Sequence, residues 1–138
     1  MKAIIYKKYG PPEVAQLMEV AKPLPKENEI LVKVYTSTVN RTDCGFRSAE
    51  YFISRFWTGI FRPKYQILGC EFAGVIEEIG QGVTTFQVGD HVFGYNDKTC
   101  GGHSEYLTIA ETDAVTCMPE GFTFNEAAAL TEGAHYAL

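Results

Sequence analysis

Short strand-forming runs, each closed by glycine, proline or charge, recur along nearly the whole chain and leave room for little besides a mainly β fold. Met1–Tyr6, Gln16–Val20, Glu29–Tyr35, Phe72–Ile79, His91–Phe93, Glu105–Ile109 and Val115–Met118 all read this way. The third alternates cleanly: Ile30, Val32 and Val34 fall on one face, Leu31, Lys33 and Tyr35 on the other. That period of two belongs to a half-buried sheet. Gly10-Pro11-Pro12, Gly80-Gln81-Gly82 and Val88-Gly89-Asp90 are turn signals. Pro23 and Pro25 cannot donate to a ladder, so Lys22–Lys26 is predicted as an edge or loop. Many short strands punctuated in this way favour a sandwich or barrel. Two stretches break the pattern. Asn40–Tyr65 carries no clean strand, and Thr123–Leu138 places a candidate cap before Ala127–Leu130, predicting a helix that runs to the chain end.

A chain of 138 residues fits one domain. Lys and Arg number 12 against 17 Asp and Glu, a net charge of −5, which argues against a sequence-independent hold on nucleic acid. With 46% hydrophobic and 21% charged residues the composition is that of a globular domain and excludes intrinsic disorder. Cys44, Cys70, Cys100 and Cys117 form no Cys-x-x-Cys pair, so neither a zinc ribbon nor a thioredoxin-like redox motif is written here. The opening apolar run stops at Lys7 and Lys8, too soon for a secretory leader, and no stretch approaches the ~18 apolar residues of a membrane span. The expectation is a cytoplasmic protein with reduced thiols.

The most specific run is Leu68-Gly-Cys-Glu-Phe-Ala-Gly-Val-Ile-Glu-Glu-Ile-Gly80, continuing through Gly82-Val83 to Val88-Gly-Asp-His-Val92. Beside it stand the opening Met-Lys-Ala-Ile, Val39-Asn-Arg-Thr-Asp43, Gly101-Gly-His-Ser-Glu-Tyr106 and Glu126-Ala-Ala-Ala-Leu130. Together, in this order, they resemble the N-terminal, GroES-like catalytic domain of the medium-chain dehydrogenase/reductase superfamily. The resemblance implies a partly open barrel with short peripheral helices around Asn40–Trp57 and a C-terminal helix. Residues 1–123 would be the substrate-side domain, and 124–138 the start of the helix that leads into a Rossmann cofactor domain absent from this chain. No Gly-x-Gly-x-x-Gly follows a strand, since Thr85 stands where Gly80-Gln81-Gly82 needs its last glycine. A dinucleotide would therefore be bound mainly by the missing domain, and this fragment alone would be inactive.

Zinc-dependent members of that superfamily have a Cys where this chain has Asn40, and a His before the Glu where it has Cys70-Glu71. Their structural-zinc lobe needs four closely spaced cysteines after Gly89-Asp90, where Cys100 stands alone. An amide is a poor zinc ligand. These departures match the zinc-independent, quinone-oxidoreductase-like branch, and no metal is expected. The implied activity of the full-length protein is hydride transfer from NADPH or NADH to a quinone, an enone or a related activated carbonyl. NADPH is preferred by resemblance to the branch, and a homodimer is implied as well. An alcohol dehydrogenase, with or without zinc, and a non-catalytic reductase-like binding protein remain as alternatives.

Without a metal, charge arriving on a carbonyl oxygen must be met by positioned hydrogen-bond donors. The resemblance places Asn40 and Thr42 in that catalytic role, with Asn40, Arg41 and His135 toward the cofactor. Thr42 and Asp43 are also good N-cap residues, and for Asp43 a cap is the preferred reading. The window Phe46–Tyr65 holds seven aromatics. Of these, Tyr51, Phe52 and Trp57, together with Cys70, are assigned to the wall of a pocket for a flat, apolar substrate. A basic aromatic helix can also lie on a membrane, but the acidic overall balance argues against that contact. His91 reads as structural, and His103 as a surface residue at a strand entry.

Overall fold

The computed structural model describes residues 1–50 and 55–137, except for the side chains of Trp57 and of residues 135–137. Strands β1 (Lys2–Tyr6) and β2 (Ala15–Glu19) pair as an antiparallel hairpin across a single 3₁₀ turn at Pro12–Val14. Strands β3 (Glu29–Ser37), β4 (Glu71–Ile79), β5 (His91–Tyr95), β6 (Tyr106–Ala110) and β7 (Val115–Cys117) form an antiparallel sheet in the order β6-β3-β4-β5-β7. Isolated bridges Ala3↔Ser104 and Ile5↔Ile67 join the hairpin to the larger sheet's loops. The two sheets curve around a core without closing, as a partly open barrel does. Helices α1 (Arg41–Ser48) and α2 (Arg55–Thr58) follow β3, while α3 (Phe124–Ala128) and α4 (Glu132–Ala137) follow β7. Among the described residues no helix is long and apolar enough to cross a membrane.

Alternation fixes which faces meet. Ile30 and Val32 of β3, Phe72 and Ile76 of β4, Val92 of β5, and Leu107 and Ile109 of β6 form the core, closed by Phe86. The opposite face of β4 is covered too: Ala73 packs against Ala127 and Ala128 of α3, with Phe93, Met118 and Phe124 around them. Small residues at all three of those positions let the helix lie close on the sheet. β4 is therefore buried on both faces, and a charge at its first residue, Glu71, must find partners inside the protein. Between β3 and β4 the register shifts at Leu31/Val32 and at Val34/Thr36, bulges that bend β3 and carry its end toward α1.

The expected single terminal helix is two short ones. Thr123 caps α3 in a capping box with Glu126, and α3 ends at Ala128. α4 starts afresh at Glu132 because that residue's N–H is bonded at 2.6 Å to a Glu71 carboxylate oxygen rather than to an earlier turn of the same helix. A tertiary acceptor thus divides a segment whose sequence reads as continuous. Replacing the fully buried Phe72 by Ala should cost about 3–5 kcal/mol. Urea unfolding of this chain followed by tryptophan fluorescence measures it.

Candidate active site

Two buried carboxylates organise the region where β3, α1, β4 and α4 meet. Glu71 is 2% exposed. Its Oε1 accepts from the Thr131 hydroxyl at 2.5 Å and the Glu132 N–H at 2.6 Å. Its Oε2 accepts from Asn40 Nδ2 at 3.2 Å and from the Thr38 hydroxyl. Burial is the largest single influence and raises its pKa. The bonds from Thr131, Thr38, the Glu132 backbone and Asn40 together outweigh it and hold the carboxyl below the usual glutamate value. One side chain from β4 thereby fixes the end of β3, the cap of α1 and the start of α4.

The second carboxylate is Asp43, likewise 2% exposed. Its Oδ1 accepts the backbone N–H groups of Gly69 and Cys70 at 3.0 and 3.1 Å, while Oδ2 accepts Asn40 N at 3.1 Å. His103 approaches Oδ2 at 3.9 Å, and its Nε2 meets the Thr38 carbonyl at 2.7 Å. Gly69 and Gly102 let these loops touch. A Cβ on Gly69, whose φ is +95°, would stand 2.3 Å from His103 N.

Helix α1 is capped by Asn40, not by Thr42 or Asp43. The Asn40 Oδ1 accepts from Asp43 N at 2.9 Å, and Asp43 returns a bond to the Asn40 N–H, a complete capping box. The cap reading for Asp43 is corrected: its carboxylate closes the box from the third helical position and also reaches across to β4's entry. His103 is corrected as well. Its side chain is 14% exposed and lies against Asp43, so it is a half-buried residue tied to the site rather than an open surface one.

The Thr42 hydroxyl donates to Glu132 Oε1 at 2.5 Å, with the Tyr95 phenol nearby. Burial, aided by Cys70 and Glu132 nearby, raises the Tyr95 pKa well above the ordinary tyrosine value and keeps the phenol protonated. The other Glu132 oxygen, Oε2, is buried and has no partner among the described residues. Tyr95, Thr131 and Glu132 line one side of a cleft of about 590 Å³, with Phe93 and Val115 contributing its apolar wall. A second cleft of about 460 Å³ lies between Tyr6, Phe46, Thr58, Tyr65 and Cys100.

Of the residues assigned from the sequence, Asn40 and Thr42 converge on the Glu71–Glu132 region. Arg41 is exposed at the first position of α1. Cys70 is fully buried, its sulfur 3.7 Å from that of Cys100. Tyr51 and Phe52, and the side chains of Trp57 and His135, lie outside the described residues. The organising role of Glu71, and any role of Glu132 and Tyr95, are absent from the sequence expectations. A lone acid inside the apolar run Gly69-Cys-Glu-Phe-Ala-Gly74 was the available signal for Glu71. Nothing in the local pattern marks Tyr95 or Glu132.

Zinc does not suit this donor set. Glu71 already accepts four hydrogen bonds, Asn40 offers an amide, and the hydrogen bond with Cys100, then burial, raise the Cys70 pKa and keep its thiol protonated. Among the described residues no group of three or more His, Cys, Asp or Glu is arranged to hold a metal ion.

The comparisons with known proteins agree with this architecture. Residues 26–134 match the alcohol dehydrogenase GroES-like domain, and the chain belongs to that family. It is 36% identical over 131 residues to the quinone oxidoreductase of Sus scrofa, an alignment that covers 94% of this chain and 37% of that protein. It is 31% identical over 136 residues to the trans-enoyl reductase grgB of a Penicillium species, covering 94% of this chain and 35% of the relative. The solved quinone oxidoreductase of Escherichia coli, complexed with NADPH, superposes with a TM-score of 0.77 at 30% identity over 94% of this chain and 36% of its own. The chain thus spans little more than a third of these relatives, which are oxidoreductases.

Glu71→Gln should destabilise this chain by about 1–3 kcal/mol at pH 7, since an amide cannot accept from all four donors. The folded pKa of Glu71 lies below its unfolded value, so its contribution is complete above the ordinary carboxylate range and fades as pH falls through the folded value. The stability gap between the native chain and the Gln variant should therefore narrow below pH ~4. Urea titrations from pH 7 to pH 3 read it directly.

Proposed function

We propose that the chain is the substrate-side domain of a NAD(P)H-dependent oxidoreductase that reduces quinones, enones or related activated carbonyls without zinc. The observation that carries this reading is the Asn40 amide. Its oxygen is consumed by the α1 cap and one Nδ2 hydrogen by Glu71, which leaves the second Nδ2 hydrogen without a partner among the described residues. A rigidly held amide donor at the junction of α1 and β4 is what a carbonyl oxygen gaining charge requires when no Lewis acid is present. The relatives' names support the substrate class, quinones in one case and an enoyl group in the other.

The nicotinamide, when bound, supplies the hydride, and the acceptor also takes up a proton. Thr42, bonded to Glu132 with the Tyr95 phenol nearby, is a place where a proton can be held and handed over. Arg41, exposed at the start of α1, offers a planar cation suited to phosphate oxygens, and His135 is assigned with it to the cofactor side. Those groups fit a dinucleotide bound chiefly by a further domain, and the NADPH complex of the Escherichia coli relative favours the phosphorylated cofactor. Tyr51, Phe52 and Trp57 remain our assignment for the substrate wall; Cys70, fully buried, is withdrawn from it because its side chain reaches no cleft among the described residues. Cytoplasmic residence, a homodimer and an inactive isolated fragment complete the proposal.

The test uses the full-length protein. Asn40→Ala should lower kcat for NADPH-dependent quinone reduction about 10²-fold, the scale of losing one donor to a developing oxyanion. NADPH affinity read by fluorescence should change far less. Native kinetics in the variant, or stoichiometric zinc in the active native enzyme, would overturn the assignment.

A further inference from the structure

Cys70 and Cys100 belong to segments far apart in sequence, yet their sulfurs are 3.7 Å apart in the interior. The approach is held by backbone. Asn96 N donates to the Cys70 carbonyl at 2.7 Å, Asn96 Nδ2 donates to the Cys100 carbonyl at 3.1 Å, and Cys100 N donates to Asn96 O at 3.1 Å. One asparagine therefore fixes both cysteine backbones. Cys100 also carries a φ of 55°, an uncommon conformation for a residue other than glycine, which turns the loop back toward β4. The two thiols differ in access. Cys70 is 0% exposed, while Cys100 is 6% exposed and lines the 460 Å³ cleft beside Tyr65, Lys64 and Lys98. A small reagent can reach the second and not the first.

We infer that Cys70 and Cys100 form a reversible dithiol–disulfide site, oxidised by hydrogen peroxide that enters through the cleft beside Tyr65. The Cys100 sulfur attacks one peroxide oxygen as its thiol proton leaves; an S–O bond forms, the O–O bond breaks, and the departing hydroxide takes up that proton as water. The Cys70 sulfur then attacks the Cys100 sulfur. The S–S bond forms, the S–O bond breaks, and a second water leaves with the Cys70 proton. Two thiols lose two electrons and one peroxide becomes two waters. The hydrogen bond with Cys100, then burial, keep the Cys70 thiol protonated, so it gives up that proton as it attacks. Bond formation draws the sulfurs from 3.7 Å to about 2.05 Å. That movement pulls on the residue next to Glu71, whose own N–H is held by Asp43. This site stands independently of the proposed reaction.

Cys44 and Cys117 are exposed and would react in parallel, so the test uses this chain carrying Cys44→Ser and Cys117→Ser. Treated with hydrogen peroxide, it should lose two hydrogen atoms by intact mass, yield a Cys70–Cys100 linked peptide, migrate as a monomer on a non-reducing gel, and regain its mass with dithiothreitol. Adding Cys70→Ser should leave Cys100 as a sulfenic acid that dimedone traps. Unmodified Cys100, sulfinic acid on Cys100 with Cys70 still a free thiol, or a disulfide between two chains would overturn the inference.

Discussion

A carboxylate at the head of a strand covered on both faces is the constraint from which the rest of this domain follows. Glu71 cannot be solvated there, and an isolated charge in such a place would be prohibitively costly. The fold meets the demand with four donors drawn from three directions: Thr38 from the end of β3, Asn40 from the cap of α1, and Thr131 with the Glu132 N–H from the turn into α4. Each donor is itself a junction residue. Satisfying one charge therefore sets where a strand ends and where two helices begin.

Asp43 performs the complementary task one turn along α1. By accepting the N–H groups of Gly69 and Cys70 it fixes the chain entering β4, and by closing the capping box it ties that entry back to Asn40. Asn40 is shared between the two acids, its amide oxygen taken by Asp43 N and its Nδ2 donating to Glu71. Pre-organisation of this kind suits a catalytic donor, because a donor already held in place needs little rearrangement when charge appears on its partner. Thr42 is bonded to Glu132, which with Tyr95 lines the cleft beside Phe93 and Val115.

Much of this was legible in the residues. Periodicity and glycine punctuation place all seven strands within two residues of their observed ends, because alternation reports burial directly and turns need residues free to adopt them. The family resemblance located Asn40 and Thr42 in the segment that does approach the acids. What the sequence hid is long-range. Thr42 and Glu132 are ninety positions apart, and no local pattern announces their bond. The cap of α1 fell to Asn40 because its amide answers both Asp43 and Glu71, a double demand invisible until β4 is laid beside the helix. The break between α3 and α4 has the same origin, a side chain from β4 taking the N–H that a continuous helix would have used. His103 was misread for a related reason: a polar residue in a glycine-rich loop looks exposed until the loop is folded under Thr38.

The account depends on Glu71 being a working acceptor for the Glu132 N–H rather than a buried charge left to itself. Native-state amide hydrogen exchange at Glu132 tests it most directly. The account predicts exchange slowed far below that of an unstructured chain, with the protection lost in step with Thr131 when the domain opens. Exchange of the Glu132 amide at the unstructured rate, while β4 amides stay protected, would contradict it.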